Sequence, residues 1–145
     1  MAKPAKVSSV YVLDASVIVK WFSEEEYTDK ALKLRDDFFK GEAELAVPDL
    51  LLYEVPNALR YNADFDENDV VEAVGSLFDL GMNVIVPNRE IIDSAINLAY
   101  EHKITVYDAY YAALAKAIDF LLITADGKLY QKIKGLGFVK YIDEV

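Results

Sequence analysis

The chain contains no cysteine and a single histidine, His102. Without cysteine it forms neither disulfides nor thiolate metal sites. One histidine cannot build a His-rich zinc cage or a Ser-His-Asp triad. Metal chemistry in this protein would therefore have to use oxygen ligands, of which Asp and Glu supply many.

Long apolar runs are missing as well. No run approaches the roughly 18 residues of a membrane span, and residues 1–6 carry two lysines without the apolar region of a signal peptide. Together with the lack of cysteine, this favours a cytoplasmic protein with no membrane partner. At 145 residues, 54% of them hydrophobic, we expect a single domain over residues 1–145 with a substantial core.

Positive charge is scarce, since 15 Lys and Arg stand against 25 Asp and Glu and the net charge is −10. Such a balance argues against a nucleic-acid partner, because phosphate binding normally draws on a surplus of basic residues. The argument is not decisive. If several acids converge on divalent cations, the local field differs from that of the whole surface.

Short apolar runs alternate with helical patterns along the chain. Strands are predicted at residues 7–13, 44–47 (ended by Pro48), 82–86, 120–124 and 138–142. Helices are predicted at residues 16–22, 27–40, 66–80 and 129–134. Three more follow cap residues: one runs from Asp49 to residue 60, one from Asn88 to about residue 101, and one begins at Thr105. Strands separated by helices imply right-handed crossovers. The expected fold is therefore α/β, in three α/β/α layers around a mainly parallel sheet of about five strands.

The usual nucleotide motifs are absent. Gly135-Leu136-Gly137 follows a helix and precedes a strand, which is the wrong context for a dinucleotide site. The acidic run at residues 64–69 superficially resembles a calcium loop, but it has Asp69 where the loop needs glycine and Gly75 where it needs glutamate. Neither segment predicts a ligand site.

Asp14 stands at the carboxyl end of the first predicted strand, where an open α/β sheet places its ligand crevice. An aspartate at this point can instead cap the following helix. Ser16 is an equally favoured cap and is better suited to that role if Asp14 belongs to a site. We therefore expect Ser16 to cap the helix and Asp14 to face the crevice.

Three further acids are expected at the same edge of the sheet. Asp108 falls in the first turn of its helix, Asp126 follows the fourth strand, and Glu54 lies early in the helix after the second strand. Each has a local alternative: a capping-box variant for Asp108, an Asp-Gly turn for Asp126, and an ordinary exposed helix glutamate for Glu54. The parallel topology nevertheless returns all three to the edge where Asp14 lies.

Four converging carboxylates would repel one another, and their pKa values would rise unless a cation lay between them. Hard oxygen ligands without His or Cys point to Mg²⁺ or Mn²⁺, as one or two ions. Such a site suits phosphodiester hydrolysis, because the metal lowers the pKa of a bound water and stabilises the leaving oxygen. One carboxylate, Asp14, Asp108 or Asp126, is expected to orient that water.

At this point the sequence resembles the PIN domains and, within them, the small VapC-like toxins of toxin-antitoxin pairs. The resemblance rests on four motifs in order: Val12-Leu13-Asp14-Ala15-Ser16, Tyr53-Glu54-Val55-Pro56-Asn57-Ala58-Leu59, Tyr107-Asp108-Ala109-Tyr110-Tyr111-Ala112-Ala113-Leu114-Ala115 and Leu122-Ile123-Thr124-Ala125-Asp126. It implies a Mg²⁺- or Mn²⁺-dependent endoribonuclease that is a homodimer with a cognate antitoxin, whose C-terminal segment blocks the acidic cleft. The implied metal ligands are Asp14, Glu54, Asp108 and Asp126, with supporting polar residues Ser16, Asn57 and Thr124.

Several other residues carry hypotheses. Pro56 departs from the family pattern, and a proline-induced kink would change the direction of Glu54. Core packing is the default for Trp21 and Phe22, but adjacent aromatic residues cannot both face inward from a helix. One of the two is therefore a candidate for a dimer or antitoxin groove. Lys20, Arg60 and Lys128 are interpreted as solvated surface charge, with contacts to RNA phosphates as the alternative.

Two other functions stay open on the sequence alone. A housekeeping RNA-processing or decay nuclease would share the fold, and a small antitoxin gene immediately upstream would distinguish the toxin from it. A non-catalytic binding module of the same fold is the second alternative. The complete set of four acids counts against the module, because an inactive relative would be free to lose some of them.

Overall fold

The structure, a computed structural model, describes residues 9–145. Its five strands are β1 (Ser9–Leu13), β2 (Ala43–Pro48), β3 (Asn83–Ile85), β4 (Leu121–Thr124) and β5 (Val139–Tyr141). All five predicted strands are present, although residues 7 and 8 of the first lie outside the described residues. Pro48 does not stop the second strand as predicted but is its last residue, paired with Ile85 of β3.

Seven α-helices accompany these strands within residues 9–145. They are α1 (Ala15–Ile18), α2 (Thr28–Phe39), α3 (Leu51–Arg60), α4 (Glu67–Asp79), α5 (Arg89–His102), α6 (Val106–Ile118) and α7 (Gly127–Ile133). Short 3-10 turns follow α1, α7 and β5. None of the helices in this part of the chain combines the length and the apolar character needed to span a bilayer.

The strands form one sheet in the order β3-β2-β1-β4-β5, and every neighbouring pair is parallel. Helices flank it, which confirms the predicted three-layer α/β/α fold. Helix α6 packs across β2, β1 and β4, and α5 packs on α6. The alanines of α6 permit this close approach, since Ala109, Ala112, Ala113 and Ala115 are all buried.

Local hydrogen bonds explain most helix starts. The side chains of Asn88 and Thr105 accept from the amides of Ile91 (2.9 Å) and Asp108 (3.0 Å), so both predicted caps are confirmed. The predicted cap at Asp49 is wrong. Helix α3 begins after Leu50 without a side-chain cap, and Asp49 contributes only its carbonyl, which accepts from the Leu52 amide at 2.9 Å.

The strand order sets the position of the crevice. From β1 the chain moves outward through β2 and β3 on one side and continues through β4 and β5 on the other. The direction in which successive strands are added to the sheet therefore reverses between β1 and β4. In open α/β sheets, ligands bind outside the carboxyl ends of the strands at such a switch point.

Candidate active site

Asp14 lies immediately after β1, at the switch point, and only 5% of its surface is exposed. Its amide donates to the carbonyl of Ile123 in β4 at 3.3 Å. Its carboxylate accepts from the Val17 amide at 3.4 Å and so caps α1. The expectation that Ser16 is the cap is therefore wrong. The strand ends at Leu13, so the helix starts at Ala15 and leaves Ser16 inside its first turn.

Ser16 and Thr124 hold the Asp14 carboxylate in place. The Ser16 hydroxyl donates to Asp14 and accepts from the Ala125 amide at 2.9 Å. Thr124 is fully buried, hydrogen-bonds to the Asp14 carboxylate and accepts from the Asp126 amide at 3.1 Å. These bonds connect the loop after β1 to the loop after β4, so the two hydroxyls orient Asp14 relative to Asp126.

The remaining acids approach from three different elements. Asp108 is half-buried in the first turn of α6, and Glu54 is half-buried in α3. Asp126 is exposed after β4, where it caps α7 by accepting from the Leu129 amide at 3.1 Å. We call Asp14, Glu54, Asp108 and Asp126 the acidic cluster.

Electrostatic effects show that Asp108 is the centre of the acidic cluster. Burial raises the pKa of Asp14 to about 6, hydrogen bonds from Ser16, Thr124 and Val17 lower it, and the charge of Asp108 raises it. Burial raises the pKa of Glu54, and Asp108 adds to the rise. Burial and then Asp126 raise the pKa of Asp108 itself. Each of the other acids therefore interacts with Asp108.

The orientation of Glu54 depends on Tyr111, which sequence reasoning missed. The buried Tyr111 hydroxyl donates to Glu54 Oε1 at 2.6 Å. Helix α3 continues through Pro56 as far as Arg60, and Glu54 on its inner side reaches this bond. A usable signal was present in the sequence, because Tyr111 lies three residues after Asp108 and so shares its helix face.

The cations around the site differ in exposure. Lys20 is only 8% exposed and pairs with Glu25 at 3.1 Å, so the interpretation of this residue as a solvated surface lysine is wrong. Arg60 and Lys128 are exposed. Lys132, which the sequence did not single out, lies near enough to Asp108 to lower its pKa. Its ammonium group also donates to the Lys103 carbonyl at 3.2 Å.

The donor set of the acidic cluster fits a hard divalent cation. Only oxygen ligands are available, and three of the carboxylates carry raised pKa values that a cation would reverse. Within residues 9–145, no three His, Cys, Asp or Glu side chains are spaced to ligate one ion together. Mg²⁺ commonly binds through one or two carboxylates and keeps several waters, so this spacing suits a largely hydrated ion.

The neighbouring aromatic residues Trp21 and Phe22 differ in their burial. Trp21 is buried and donates its indole N–H to the Ala31 carbonyl at 2.8 Å. Phe22 is half-buried and lines a surface groove with Phe65 and Ala73. The reasoning that only one of the two faces inward is confirmed, and Trp21 is the one that does.

Comparison with known proteins identifies the family and several relatives of this chain. The PIN domain family matches residues 11–135. Ribonuclease VapC3 of Pyrobaculum aerophilum is 33% identical over 129 residues, which cover 86% of this chain and 95% of that protein. Exonuclease VapC9 of the same organism is 30% identical over 125 residues, 86% of each chain.

A solved toxin-antitoxin complex from Klebsiella pneumoniae contains a chain with the same fold. It superposes with a TM-score of 0.68 and covers 93% of this chain and 98% of that one, at 18% identity. The parallel sheet, the acids at its switch point and the family match over most of the chain lead to one conclusion. The chain belongs to the PIN domain family.

Proposed function

We propose that this chain is a Mg²⁺- or Mn²⁺-dependent endoribonuclease that acts as the toxin of a toxin-antitoxin pair. The observation that carries the proposal is the meeting of Asp14, Glu54 and Asp126 around Asp108 at the switch point. The ribonuclease and exonuclease names of the two curated relatives support hydrolysis of phosphodiester bonds. We treat residues 1–145 as one nuclease domain, acting on RNA in the cytoplasm.

The roles of the residues follow from their positions. Asp14, Asp108, Asp126 and Glu54 would hold the ion or its waters; when bound, the ion supplies an acidified water and positive charge beside the phosphate. Ser16 and Thr124 hold Asp14 in one orientation, and Tyr111 does the same for Glu54. Asp126 is the exposed acid of the cluster, and Asn57 is exposed one turn after Glu54 on α3. Arg60 and Lys128 remain candidate phosphate contacts, and Lys20 requires opening of its ion pair.

The test is cleavage of RNA by the purified protein with Mn²⁺ or Mg²⁺, with EDTA, and as Asp14→Asn or Asp108→Asn. We expect cleavage only with metal, and a loss of at least about 100-fold in each variant, the scale typical of a residue that stabilises the transition state. Asp36→Asn on the exposed face of α2 makes the same change in net charge and should cleave normally.

Persistent cleavage in EDTA, or in both site variants, would contradict the metal mechanism. A circular RNA separates endonuclease from exonuclease action, because only an endonuclease can open it. A clean protein that is inert on varied RNAs would favour the non-catalytic binding module. Normal growth of host cells that express the active enzyme would favour the housekeeping nuclease over a toxin.

We propose that the antitoxin binds the groove beside Phe22. This groove has a volume of about 460 Å³ and combines apolar Phe22, Phe65 and Ala73 with the acids Asp64, Asp69 and Glu72. It therefore suits a segment with apolar and basic side chains. Phe22→Asp should abolish co-purification with the antitoxin while cleavage of RNA stays intact, and unchanged co-purification would contradict this site.

We also propose a homodimer. Val71 and Phe78 are large exposed apolar residues seven positions apart on α4, so they share one helix face. An exposed apolar face of this kind is typical of an interaction surface. Light scattering should give twice the monomer mass for the wild type and the monomer mass for the Val71→Asp/Phe78→Asp double variant. A monomeric wild type would contradict the proposal.

A further inference from the structure

A second, largely apolar groove lies next to the acidic cluster. Its volume is about 230 Å³, and Leu50, Tyr53, Tyr107 and Tyr110 are among its lining residues. Tyr53 directly precedes Glu54 in the chain, and Tyr107 directly precedes Asp108. Both rings are strongly exposed, Tyr53 at 73% and Tyr107 at 63%. The two exposed tyrosines therefore stand beside two acids of the cluster.

This groove is continuous with the acidic cluster. Leu50, Tyr53 and Tyr107 also line an adjoining groove, and that groove contains Glu54 and Asn57. A ligand held between the tyrosines would consequently extend towards Glu54. The position suits part of the substrate rather than a separate molecule.

A buried polar atom without a hydrogen-bond partner belongs to a residue that lines the apolar groove. Tyr110 is only 5% exposed, and its hydroxyl is one of three buried side-chain polar atoms in residues 9–145 that lack a hydrogen-bond partner. Burial and then the negative charge of Asp49 raise the pKa of Tyr110, so this carboxylate lies nearby. Asp49 lines the same groove, and within the described range its side chain makes no hydrogen bond.

The Tyr110 hydroxyl is therefore free to bond with a ligand atom. A buried polar group without a partner costs roughly 1–3 kcal/mol, and native proteins leave few of them. A hydroxyl and a carboxylate together accept well from an N–H donor. The groove thus offers flat aromatic faces and hydrogen-bond acceptors in one place.

We propose that this groove, lined by Asp49, Tyr53, Tyr107 and Tyr110, is a base slot that holds an unpaired nucleobase of the RNA beside the phosphate to be cut. The proposal rests on the proposed ribonuclease function and adds the determinant of its sequence preference. The base stacks on Tyr53 and Tyr107, and an exocyclic amino group donates to Asp49 with Tyr110 beside it. Adenine, cytosine and guanine carry such an amino group, and uracil does not.

The charge of the protein favours a base in this slot. With a net charge of −10, long-range attraction of the phosphate backbone is weak. Stacking on aromatic side chains needs no positive charge and is a principal means of binding single-stranded RNA. A base in the slot also leaves its own phosphate close to Glu54, because the two grooves adjoin.

The test uses Asp14→Asn as a non-cleaving parent in Mg²⁺. Fluorescence anisotropy measures its affinity for short adenine, cytosine and uracil homo-oligoribonucleotides and for an abasic ribose-phosphate oligomer of the same length. Adding Tyr53→Ala or Tyr107→Ala should weaken binding of the adenine and cytosine oligomers by roughly 5- to 150-fold, the range for one stacked base. The corresponding Phe variants should bind like the parent, because they keep the ring.

Matched controls separate stacking from general damage. Tyr100→Ala removes a tyrosine from α5 that lies outside the slot and is even more exposed than Tyr53 and Tyr107, and it should change nothing. Neither alanine variant in the slot should alter the weak binding of the abasic oligomer. Asp49→Leu and Tyr110→Phe, which remove the hydrogen-bonding oxygens, should remove the preference for adenine and cytosine over uracil while binding persists.

Two results would overturn the base slot: equal affinity of the parent for base-bearing and abasic oligomers, or unchanged affinity in both alanine variants. A loss of dimer mass in those variants without any effect on RNA would also overturn it, because a second copy would then cover the groove. Failure of the ribonuclease proposal is separate. In that case the parent still selects base-bearing oligomers, but the wild type cuts none of them with Mn²⁺ or Mg²⁺.

Discussion

At the scale of single residues, burial of the Asp14 carboxylate is the main energetic cost of the acidic cluster. The unfolded chain holds this group with a pKa near 3.8, and the folded protein raises the pKa to about 6. An acid whose pKa rises on folding binds its proton more tightly in the native state. Stability is therefore greatest below the unfolded pKa and falls as the pH rises from about 4 to about 6.

This cost leads to a prediction for the metal-free protein. Asp14→Asn should be more stable than the wild type at pH 7 in EDTA, by an amount on the order of 3 kcal/mol, the free energy that corresponds to this pKa rise. The advantage should disappear below about pH 3, where Asp14 is largely protonated in both the folded and the unfolded state. Urea unfolding at the two pH values measures the difference.

The variant Asp36→Asn, on the exposed face of α2, makes the same change in net charge and is the control for Asp14→Asn. Equal stability of Asp14→Asn and the wild type at pH 7 would mean that the carboxylate is better solvated than its burial indicates. A site that is strained without metal and relieved by a cation is typical of functional acids.

At the scale of elements, α3 is a helix that contains a residue unfavourable to helices. Pro56 lies in its interior, where the missing N–H leaves the Leu52 carbonyl without its helical donor. The helix nevertheless continues to Arg60, because Leu51, Val55 and Leu59 bury one side of it in the core. Tertiary packing therefore overrides the local preference, and Glu54 keeps its bond to Tyr111.

We predict that Pro56→Ala stabilises the protein by about 2 kcal/mol. This value is the helix-propensity gain of about 3 kcal/mol less the entropy that the unfolded chain regains. Urea unfolding provides the measurement. Pro87→Ala, in the exposed loop after β3, should be neutral or slightly destabilising. A destabilised Pro56→Ala protein would show that the helix geometry depends on the proline ring.

At the scale of the whole molecule, the negative charge limits how RNA is bound. The exposed cations available to RNA are Lys128 and Lys132 on α7, after β4, and Arg60 in the last turn of α3. Each phosphate contact on a single strand contributes about −0.7 to the slope of log affinity against log salt. Three contacts therefore give a slope no steeper than about −2, unlike that of a strongly basic nucleic-acid-binding protein.

This weak dependence on salt is a further prediction. The affinity for a single-stranded RNA, measured between about 50 and 200 mM salt, should follow a slope of about −2 or shallower. Lys128→Ala should flatten it, whereas Lys116→Ala, in the last turn of α6 away from the carboxyl edge, should not. A slope of about −4 or steeper would show that other basic residues contact the backbone.

The sequence by itself determined the elements and the chemistry. Alternation of apolar runs with helical patterns is a local signal, and it predicted all five strands and seven helices to within a few residues. The caps at Asn88 and Thr105 are equally local, since each bonds within one turn. The lack of cysteine, together with a single histidine, restricted metal chemistry to oxygen ligands before any geometry was available.

Only the tertiary structure decided which strands are neighbours and which side chains from different elements meet. The pairing of β1 with β4 places Thr124 against Asp14, and the packing of α3 near α6 gives Glu54 its partner Tyr111. Burial of Lys20 is likewise a tertiary result. The same is true of Asp14 as the cap of α1, since Asp and Ser are equally good caps and the end of β1 selects between them. These outcomes depend on contacts between residues far apart in the chain, which periodicity and propensity do not contain.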